Sequence, residues 1–311
     1  MKSATVIGSG IIGLTTALKL QKAGYAVTIV AKEKFSETLS SKVGAIWFPF
    51  QIEPLHKAHQ WAALSYSEYE KDQTNDNGVS FIPFTTVYNT QSNTNWISVL
   101  PSGSVRIAKS DELLNEMTQA HISTVPLVEP LHYLPYLFKR FKSNNGTFIK
   151  QQIYTLEEAS NLNNLVINCS GLGARELCND NDLKPMRGQI LRCAPINLPS
   201  YADSTTKGAL TYLINRTNDC IIGGTDYEND WNLKEDPTDT ELILNRFSKF
   251  NSTKNQPEIL EEVVGLRPKR PSIRFELDKT YQNIFHNYGH GGAGFTVAWG
   301  CAIELVKLQR S

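Results

Sequence analysis

The sequence lacks any apolar run long enough to cross a bilayer. Its apolar stretches are much shorter than the ~20 residues that a transmembrane helix requires, so no membrane partner is expected. A leader peptide is not expected either, because an apolar strand begins at about residue 4. The last residues, Leu308-Gln309-Arg310-Ser311, do not form a peroxisomal address. These features predict a cytoplasmic protein.

The chain also lacks an excess of charge of either sign. Lysine plus arginine and aspartate plus glutamate each number 31, which gives a formal net charge of zero. Proteins that bind nucleic acids or anionic membrane surfaces normally carry a basic excess. We therefore expect no nucleic-acid partner.

Cysteine and histidine are scarce and scattered. The five cysteines show no metal-type pairing, which predicts reduced, mostly buried thiols. Two histidine pairs have helical spacing, His56 with His59 and His286 with His290, but neither matches a metal motif. No metal site is predicted.

Two glycine-rich turns lie near opposite ends of the chain, at residues 8–13 and 289–294. The first follows an apolar strand at 4–7 and precedes a helical pattern and a second strand at 27–30. This order is what a dinucleotide-binding turn requires. Gly8 permits the tight turn, Gly10 admits a pyrophosphate, and Gly13 allows close packing of the helix. The N–H groups at the helix start then face the anion.

The identity of the dinucleotide is left open by the end of the second strand. An acidic residue that binds ribose usually stands there, but this chain has Ala31-Lys32-Glu33. Lys32 would suit a 2′-phosphate, so NADP is a candidate.

Strands and helices alternate along the remaining chain. A strand at 165–169 ends in another glycine-containing turn, a second expected approach to the cofactor, and a helix is predicted over 131–141. A further helix over 238–250 is predicted to begin at a Thr238 cap, with Glu241 three residues on. We predict an α/β fold with a Rossmann-like nucleotide-binding domain interrupted by a mixed, largely antiparallel sheet domain.

Several motifs occur in an order that resembles the D-amino-acid oxidase family of FAD-dependent amine oxidases, over most of the chain. They lie at 6–14, 44–50, 166–171, 187–189, 265–271 and 286–296. The resemblance favours FAD over NADP. It implies oxidative deamination of a D-amino acid by hydride transfer to flavin N5, with O2 as oxidant and a 2-oxo acid, ammonia and hydrogen peroxide as products.

The resemblance also implies a division into domains. Residues 1–50, 130–185 and 262–311 are expected to form a discontinuous FAD-binding domain, and residues 51–129 and 186–261 the substrate-binding domain. A homodimer is a candidate assembly.

The resemblance assigns the substrate site to four residues. Arg267, in Gly265-Leu266-Arg267-Pro268, is expected to bind the substrate carboxylate as a planar fork, with Arg270 and Arg274 as rivals. Tyr212 matches a strand tyrosine that helps to hold this carboxylate. Phe48 would make the pocket apolar, and Gly292 favours neutral side chains.

Two further expectations concern the surroundings of this site. Many relatives carry a lid tyrosine, but residues 206–209 hold none, and Tyr201 is the one substitute considered. His290 is expected to be a turn residue beside the flavin and not a base, so no acid or base is assigned.

The resemblance and the glycine patterns together assign the cofactor site. The expected residues are Gly8, Ser9, Gly10, Ile11, Ile12, Gly13, Ala31, Lys32, Ser40, Ser41, Gly44, Ala45, Ile46, Ile153, Ser170, Gly171, Arg267, Gly291, Gly292, Ala293, Gly294, Phe295 and Thr296.

Other functions stay open at this stage. A D-aspartate or D-glutamate oxidase would need a further cation, such as Arg216 or Lys207. Further alternatives are an oxidase of glycine or N-methyl amines, a flavin dehydrogenase, and a non-catalytic flavin- or NADP-binding sensor.

Overall fold

A computed structural model describes residues 2–49, 52–74, 76–206, 210–251 and 256–309. Its strands are β1 Ser3–Ile7, β2 Ala26–Ala31, β3 Val79–Val87, β4 Val105–Ile107, β5 Ala120–Val128, β6 Thr147–Lys150, β7 Val166–Asn168, β8 Lys184–Cys193, β9 Ser200–Asp203, β10 Thr211–Asn215, β11 Cys220–Gly223, β12 Tyr227–Glu228, β13 Ile259–Leu277 and β14 Ile284–His290. Its helices are α1 Ile11–Lys22, α2 Leu55–Asp72, α3 Pro130–Ser143, α4 Leu156–Ser160, α5 Ala174–Leu177, α6 Pro237–Ser248 and α7 Gly294–Leu308.

The chain divides into two compact units. Unit 1 comprises Met1–Val79, Val128–Pro185 and Arg267–Ser311, and unit 2 comprises Ser80–Leu127 and Met186–Leu266. Residues 128–129, predicted in the substrate-binding domain, lie in unit 1, and residues 262–266, predicted in the FAD-binding domain, lie in unit 2. The largest difference covers residues 51–79, which lie in unit 1. The reason is that α2 packs against α7 there, and the side chain of Ser65 accepts a hydrogen bond from the Gly300 amide at 2.9 Å.

Unit 1 is built on a parallel sheet in the order β14-β7-β1-β2-β6. The second half of β13 adds to β14 in antiparallel orientation. β1 is buried from its second residue onward, and β7 and β14 are buried throughout. Near-continuous burial is typical of parallel strands that are covered on both faces.

Unit 2 is built on a mixed sheet in the order β4-β5-β3-β9-β10-β11-β8, followed by the first half of β13. β10 pairs in antiparallel fashion with β9 and β11, as does β11 with β8, whereas β3 and β9 are parallel. α6 covers this sheet because Ile243 and Phe247 are buried in one cluster with Leu213 and Ile222. The predicted α/β class with a mixed, largely antiparallel sheet is thus confirmed.

The start of α6 differs from the prediction. Asp236, not Thr238, is the N-cap, and its Oδ1 accepts a hydrogen bond from the Thr238 amide at 2.9 Å. Pro237 occupies the first helical position, where a missing N–H costs nothing. The threonine cap was therefore wrong by two residues.

Tyr201 does not form a lid. It lies on β9 and is fully buried, with its ring 5.1 Å from that of Phe250 in a T-shaped pair. The idea that Tyr201 substitutes for a lid tyrosine is therefore wrong. Residues 207–209, most of the stretch where relatives carry the lid tyrosine and this chain has none, lie outside the described residues.

The described ranges contain no helix that is both long and apolar enough to cross a membrane. Within the same ranges, no three histidine, cysteine, aspartate or glutamate side chains gather in a group able to hold a metal ion.

Candidate functional site

The first glycine turn packs too tightly for side chains at two of its positions. A Cβ at Gly13 would lie 2.0 Å from the Gly8 carbonyl oxygen, and a Cβ at Gly8 would lie 2.4 Å from the Cys169 carbonyl oxygen. Gly8 also has a φ of +109°, which side chains rarely allow. The turn before α1 therefore packs directly against the backbone that follows β7.

Polar contacts gather around the same helix start. The Ile11 amide donates to Ser40 Oγ at 3.1 Å, and Ser9 Oγ donates to the Glu33 carbonyl at 2.6 Å. The first turn of α1 runs Ile-Ile-Gly-Leu and carries no charge. Its partial positive charge is therefore left for an anion such as a phosphate.

The end of β2 lies beside this turn. Ala31 is buried, whereas Lys32 is exposed and forms an ion pair with Glu33 at 3.3 Å. Ile153 is buried in an apolar cluster with Val30 and Ile7. Ile153 thus shares a cluster with Ile7, which directly precedes the glycine turn, and the Glu33 carbonyl accepts the hydrogen bond from Ser9 of the turn.

The second strand-to-helix turn is organised by a residue that the sequence analysis missed. The Asn168 side chain is fully buried, and its Oδ1 accepts hydrogen bonds from Ser170 Oγ at 2.6 Å and from the Ser170 amide at 3.2 Å. Gly171 follows with a φ of +57° and open space where its Cβ would be. The available signal was a polar residue closing an apolar strand.

The C-terminal glycine turn leads into α7 beside α1. A Cβ at Gly294 would lie 3.6 Å from Ile11 Cγ2, and Thr15 Oγ1 donates to the Ala298 carbonyl at 3.3 Å. The structure thus brings together the two turns found at opposite ends of the sequence. Tyr69, a residue not singled out from the sequence, donates its hydroxyl to the Phe295 carbonyl at 2.7 Å and anchors the first turn of α7.

The aromatic segment after Gly44 is fixed to this same helix start. Phe48 exchanges two hydrogen bonds with Thr296 Oγ1, at 3.1 Å through its amide and at 2.9 Å through its carbonyl. Trp47 is fully buried and donates to the Ala62 carbonyl at 3.0 Å, so it is a core residue. Phe48 itself is half-buried.

His290 is buried within the C-terminal turn. Its Nε2 lies 3.1 Å from Asn287 Oδ1 and 3.7 Å from Cys301 Sγ. Burial lowers the pKa of His290 to about 3, so its imidazole is neutral at neutral pH.

Arg267 lies on β13, half-buried, next to the exposed Gly292. A Cβ at Gly292 would come 3.6 Å from Arg267 Cδ. The two rival arginines are held by carboxylates: Arg270 Nε lies 3.0 Å from Asp180, and Arg274 Nε lies 2.9 Å from Glu276. Both rival arginines thus have carboxylate partners within the chain.

Two residues of unit 2 were connected with the substrate by the sequence analysis. Tyr212 lies on β10, half-buried, directly opposite Gly223 of β11. Arg216 is 6% exposed and forms a two-point ion pair with Asp219, at 2.6 Å from Nε and 2.7 Å from Nη2. The guanidinium of Arg216 is therefore already paired with a carboxylate.

Comparison with known proteins assigns the family. The model of DAO-type FAD dependent oxidoreductases matches residues 3–308. This chain belongs to the DAO family of FAD-dependent oxidoreductases. It is 34% identical to a D-amino-acid oxidase of Rubrobacter xylanophilus, over 98% of this chain and 95% of that protein. It is 28% identical to human D-aspartate oxidase, over 97% and 93% of the two chains.

The fold is also similar to that of a solved structure. The glycine oxidase of Geobacillus kaustophilus superposes with a TM-score of 0.79, over 99% of this chain and 95% of that chain, at 16% identity. At that level of identity the likeness concerns the fold.

The residues present fit the FAD that defines the family. At Gly8 and Gly13 the neighbouring backbone leaves no room for a Cβ, so only glycine fits at these two positions of the turn. An uncharged helix start lies above it, next to Ser40, as a diphosphate requires.

Proposed function

We propose that this chain is an FAD-dependent D-amino-acid oxidase that acts on neutral D-amino acids. It would convert the substrate and O2 to a 2-oxo acid, ammonia and hydrogen peroxide. The observation that carries the proposal is Arg267 beside the exposed Gly292, at the glycine turn that precedes α7. The similarity to the oxidase of Rubrobacter xylanophilus supports it.

We propose unit 1 as the FAD-binding part and unit 2 as the substrate-binding part. When bound, FAD would accept the hydride from the substrate Cα. The turn at Gly8–Gly13 would hold the diphosphate, and Ala31 and Lys32 would border the adenosine. The full set proposed to hold the cofactor is Gly8, Ser9, Gly10, Ile11, Ile12, Gly13, Ala31, Lys32, Ser40, Ser41, Gly44, Ala45, Ile46, Ile153, Ser170, Gly171, Arg267, Gly291, Gly292, Ala293, Gly294, Phe295 and Thr296.

The protein's own contribution is to bind and orient the substrate. The planar guanidinium of Arg267 would donate two hydrogen bonds to the substrate carboxylate. The Tyr212 hydroxyl is also assigned to substrate binding. Such anchoring fixes the direction of the Cα–H bond, which is worth several kcal/mol in a well-oriented reaction. The N-terminal amides of α7 would favour negative charge nearby.

A preference for neutral substrates follows from two observations. An acidic substrate needs a second cation, and Arg216, one of the two proposed for that role, is already paired with Asp219. The other, Lys207, lies outside the described residues. Gly292 offers no polar group, and Phe48 presents an aromatic ring. D-Aspartate therefore ranks below neutral D-amino acids.

We also propose a cytoplasmic homodimer. The five cysteines are all free thiols, which supports a reducing compartment. Light scattering of the purified holoenzyme measures the assembly, and a monomeric mass would contradict the dimer. Fractionation of cells that express the tagged chain tests the location.

The deciding experiment mixes the purified, FAD-loaded protein anaerobically with D-alanine, D-methionine, D-aspartate, glycine and the L-forms. Bleaching of the flavin band by the neutral D-forms, then recovery in O2 with hydrogen peroxide, is expected. Bleaching only by D-aspartate or only by glycine would mean that an acidic D-amino acid or glycine, and not a neutral D-amino acid, is the substrate. Bleaching without recovery in O2 would indicate a dehydrogenase, and no bleaching by any of these compounds would overturn the proposal.

A further inference from the structure

The ring of Tyr212 occupies the space above Gly223. The two residues are direct cross-strand partners on β10 and β11. A Cβ at Gly223 would lie 2.0 Å from Tyr212 Cζ and 2.2 Å from its hydroxyl oxygen, distances that real Cβ atoms do not show. The hydroxyl end of the ring therefore fills the space that a side chain at position 223 would need, and glycine at 223 leaves room for it.

The hydroxyl end of the ring reaches the next residue as well. A Cβ at Gly224 would lie 3.3 Å from the Tyr212 hydroxyl oxygen and 3.0 Å from the Gln189 carbonyl oxygen. The phenol thus packs along the Gly223–Gly224 dipeptide, which we call its seat. A larger residue at either position would displace the hydroxyl, which is the group that would touch substrate.

Arg246 holds the backbone on both sides of this seat. Its Nη1 donates to the Leu210 carbonyl at 3.4 Å and to the Gly224 carbonyl at 3.2 Å, while the Gly224 amide donates to Leu210 at 2.9 Å. Arg246 belongs to α6, whose Phe247 is buried in the core of unit 2. The guanidinium therefore ties the start of β10 and the end of β11 to a helix that is itself anchored.

We infer that Gly223 and Arg246 are positioning residues for Tyr212 in substrate binding, an inference that rests on the proposed function. A side chain that binds a substrate must be held to within about 0.5 Å of its productive position by the packing around it. Gly223 provides the surface on which the ring rests. Arg246 fixes the two backbone segments that carry the ring and its seat, through charge-assisted hydrogen bonds.

The first test is a double-mutant cycle between Gly223→Ala and Tyr212→Ala, in the FAD-loaded full-length protein with D-alanine as substrate. Gly223→Ala alone is expected to raise KM about tenfold, the equivalent of one lost hydrogen bond, with little change in kcat. In the Tyr212→Ala background, where no ring remains to be displaced, the same substitution is expected to leave KM unchanged. Equal effects on KM in both backgrounds would overturn the inference.

The second test compares Arg246→Met with Arg246→Lys. Met removes the donors and is expected to raise KM severalfold, whereas Lys keeps a cationic donor and is expected to restore most of the affinity. Arg192→Met is the matched control, because Arg192 lies in the same unit and pairs with Glu261 near the surface. If Arg246→Met lowers only the urea midpoint and leaves KM unchanged, Arg246 is structural and the inference fails for it.

Urea unfolding of the wild type, the two single variants and the double variant tests the inference separately from the proposed function. Gly223→Ala should lower the urea midpoint when Tyr212 is present and leave it unchanged when Tyr212 is alanine. If wild-type protein oxidises no amino acid, the proposed function fails and the substrate role of Tyr212 fails with it. If the wild-type enzyme is active but the effect of Gly223→Ala on the urea midpoint does not depend on Tyr212, only the inference about Gly223 and Tyr212 is overturned.

Discussion

Gly292 stands directly against the side chain of Arg267. A Cβ at position 292 would lie 3.6 Å from Arg267 Cδ and 3.9 Å from its Nε, and, apart from the adjoining residues 291 and 293, no other atom of the described residues would come within 4 Å. Position 292 is otherwise exposed. The first group that any side chain at this position meets is therefore the guanidinium proposed to bind the substrate carboxylate.

An acidic side chain at position 292 should block substrate binding through its charge. In Gly292→Asp, the carboxylate can pair with Arg267 and compete with the substrate. KM for D-alanine is expected to rise by roughly 100-fold, the scale of a charge-assisted contact of about 3 kcal/mol. Gly292→Asn, which has the same size without the charge, should raise KM much less. Equal effects of the two substitutions would show that bulk, not charge, controls this position.

Arg267 itself should be required for substrate affinity and not for folding. Arg267→Ala is expected to lower kcat/KM by roughly 100-fold or more, because a two-point contact with the carboxylate contributes about 3 kcal/mol or more. The flavin absorbance and melting temperature give the control for folding. Arg192→Ala, which removes a surface arginine, should leave kcat/KM near wild type. Unchanged kinetics in Arg267→Ala would remove this residue from the site.

The glycine turn at the start of α1 should not accept a methyl group at position 13. In Gly13→Ala, the Cβ would collide with the Gly8 carbonyl at 2.0 Å, a clash between backbone and Cβ that no rotamer change relieves. We expect loss of roughly 2 kcal/mol or more of stability and weaker FAD retention, seen as flavin released on gel filtration. Gly173→Ala is the matched control, because the nearest atom to its Cβ would be 3.8 Å away. Full FAD retention in Gly13→Ala would contradict the assigned role of the turn.

Local signals allowed much of unit 1 to be predicted. The glycines at 8, 10 and 13, framed by an apolar strand and a helical pattern, need only the residues within one strand, turn and helix. In unit 2, Arg216 and Asp219 are also close along the chain, three residues apart on the β10–β11 connection. Their ion pair could have been predicted from the sequence but was not recognised there. Such pairs are readable because the partners are close along the chain.

The missed features depend on contacts between distant residues. β13 contains Pro268 and Pro271 among charged residues, so it lacks the alternation that identifies a strand, and its pairing with β14 shifts register between Lys269 and Arg274. Tyr201 resembles a loop residue in sequence but is covered by Phe250, which is 49 positions further along. The seat of Tyr212 on Gly223 likewise exists only once β10 pairs with β11.

His290 should make stability depend on pH. Burial holds its folded pKa at about 3, below the ordinary value of about 6.5 that the unfolded chain has. The unfolded state therefore takes up a proton first as pH falls. The stability that this residue contributes is complete above pH ~6.5 and is lost as pH falls toward the folded pKa, by roughly 1.4 kcal/mol per pH unit. The lowered pKa of the buried His286 acts with the same sign.

Urea unfolding of the FAD-saturated protein between pH 5 and pH 7 measures this slope. Replacing the imidazole in His290→Gln should reduce the slope by about one proton near pH 5, or roughly 1.4 kcal/mol per pH unit, and by progressively less toward pH 7, where the unfolded imidazole is mostly neutral. His56→Gln is the matched substitution at an exposed histidine on α2. If His290→Gln keeps the wild-type slope, His290 takes up its proton equally in the folded and unfolded states. That result would contradict the lowered pKa expected from its burial between Asn287 and Cys301.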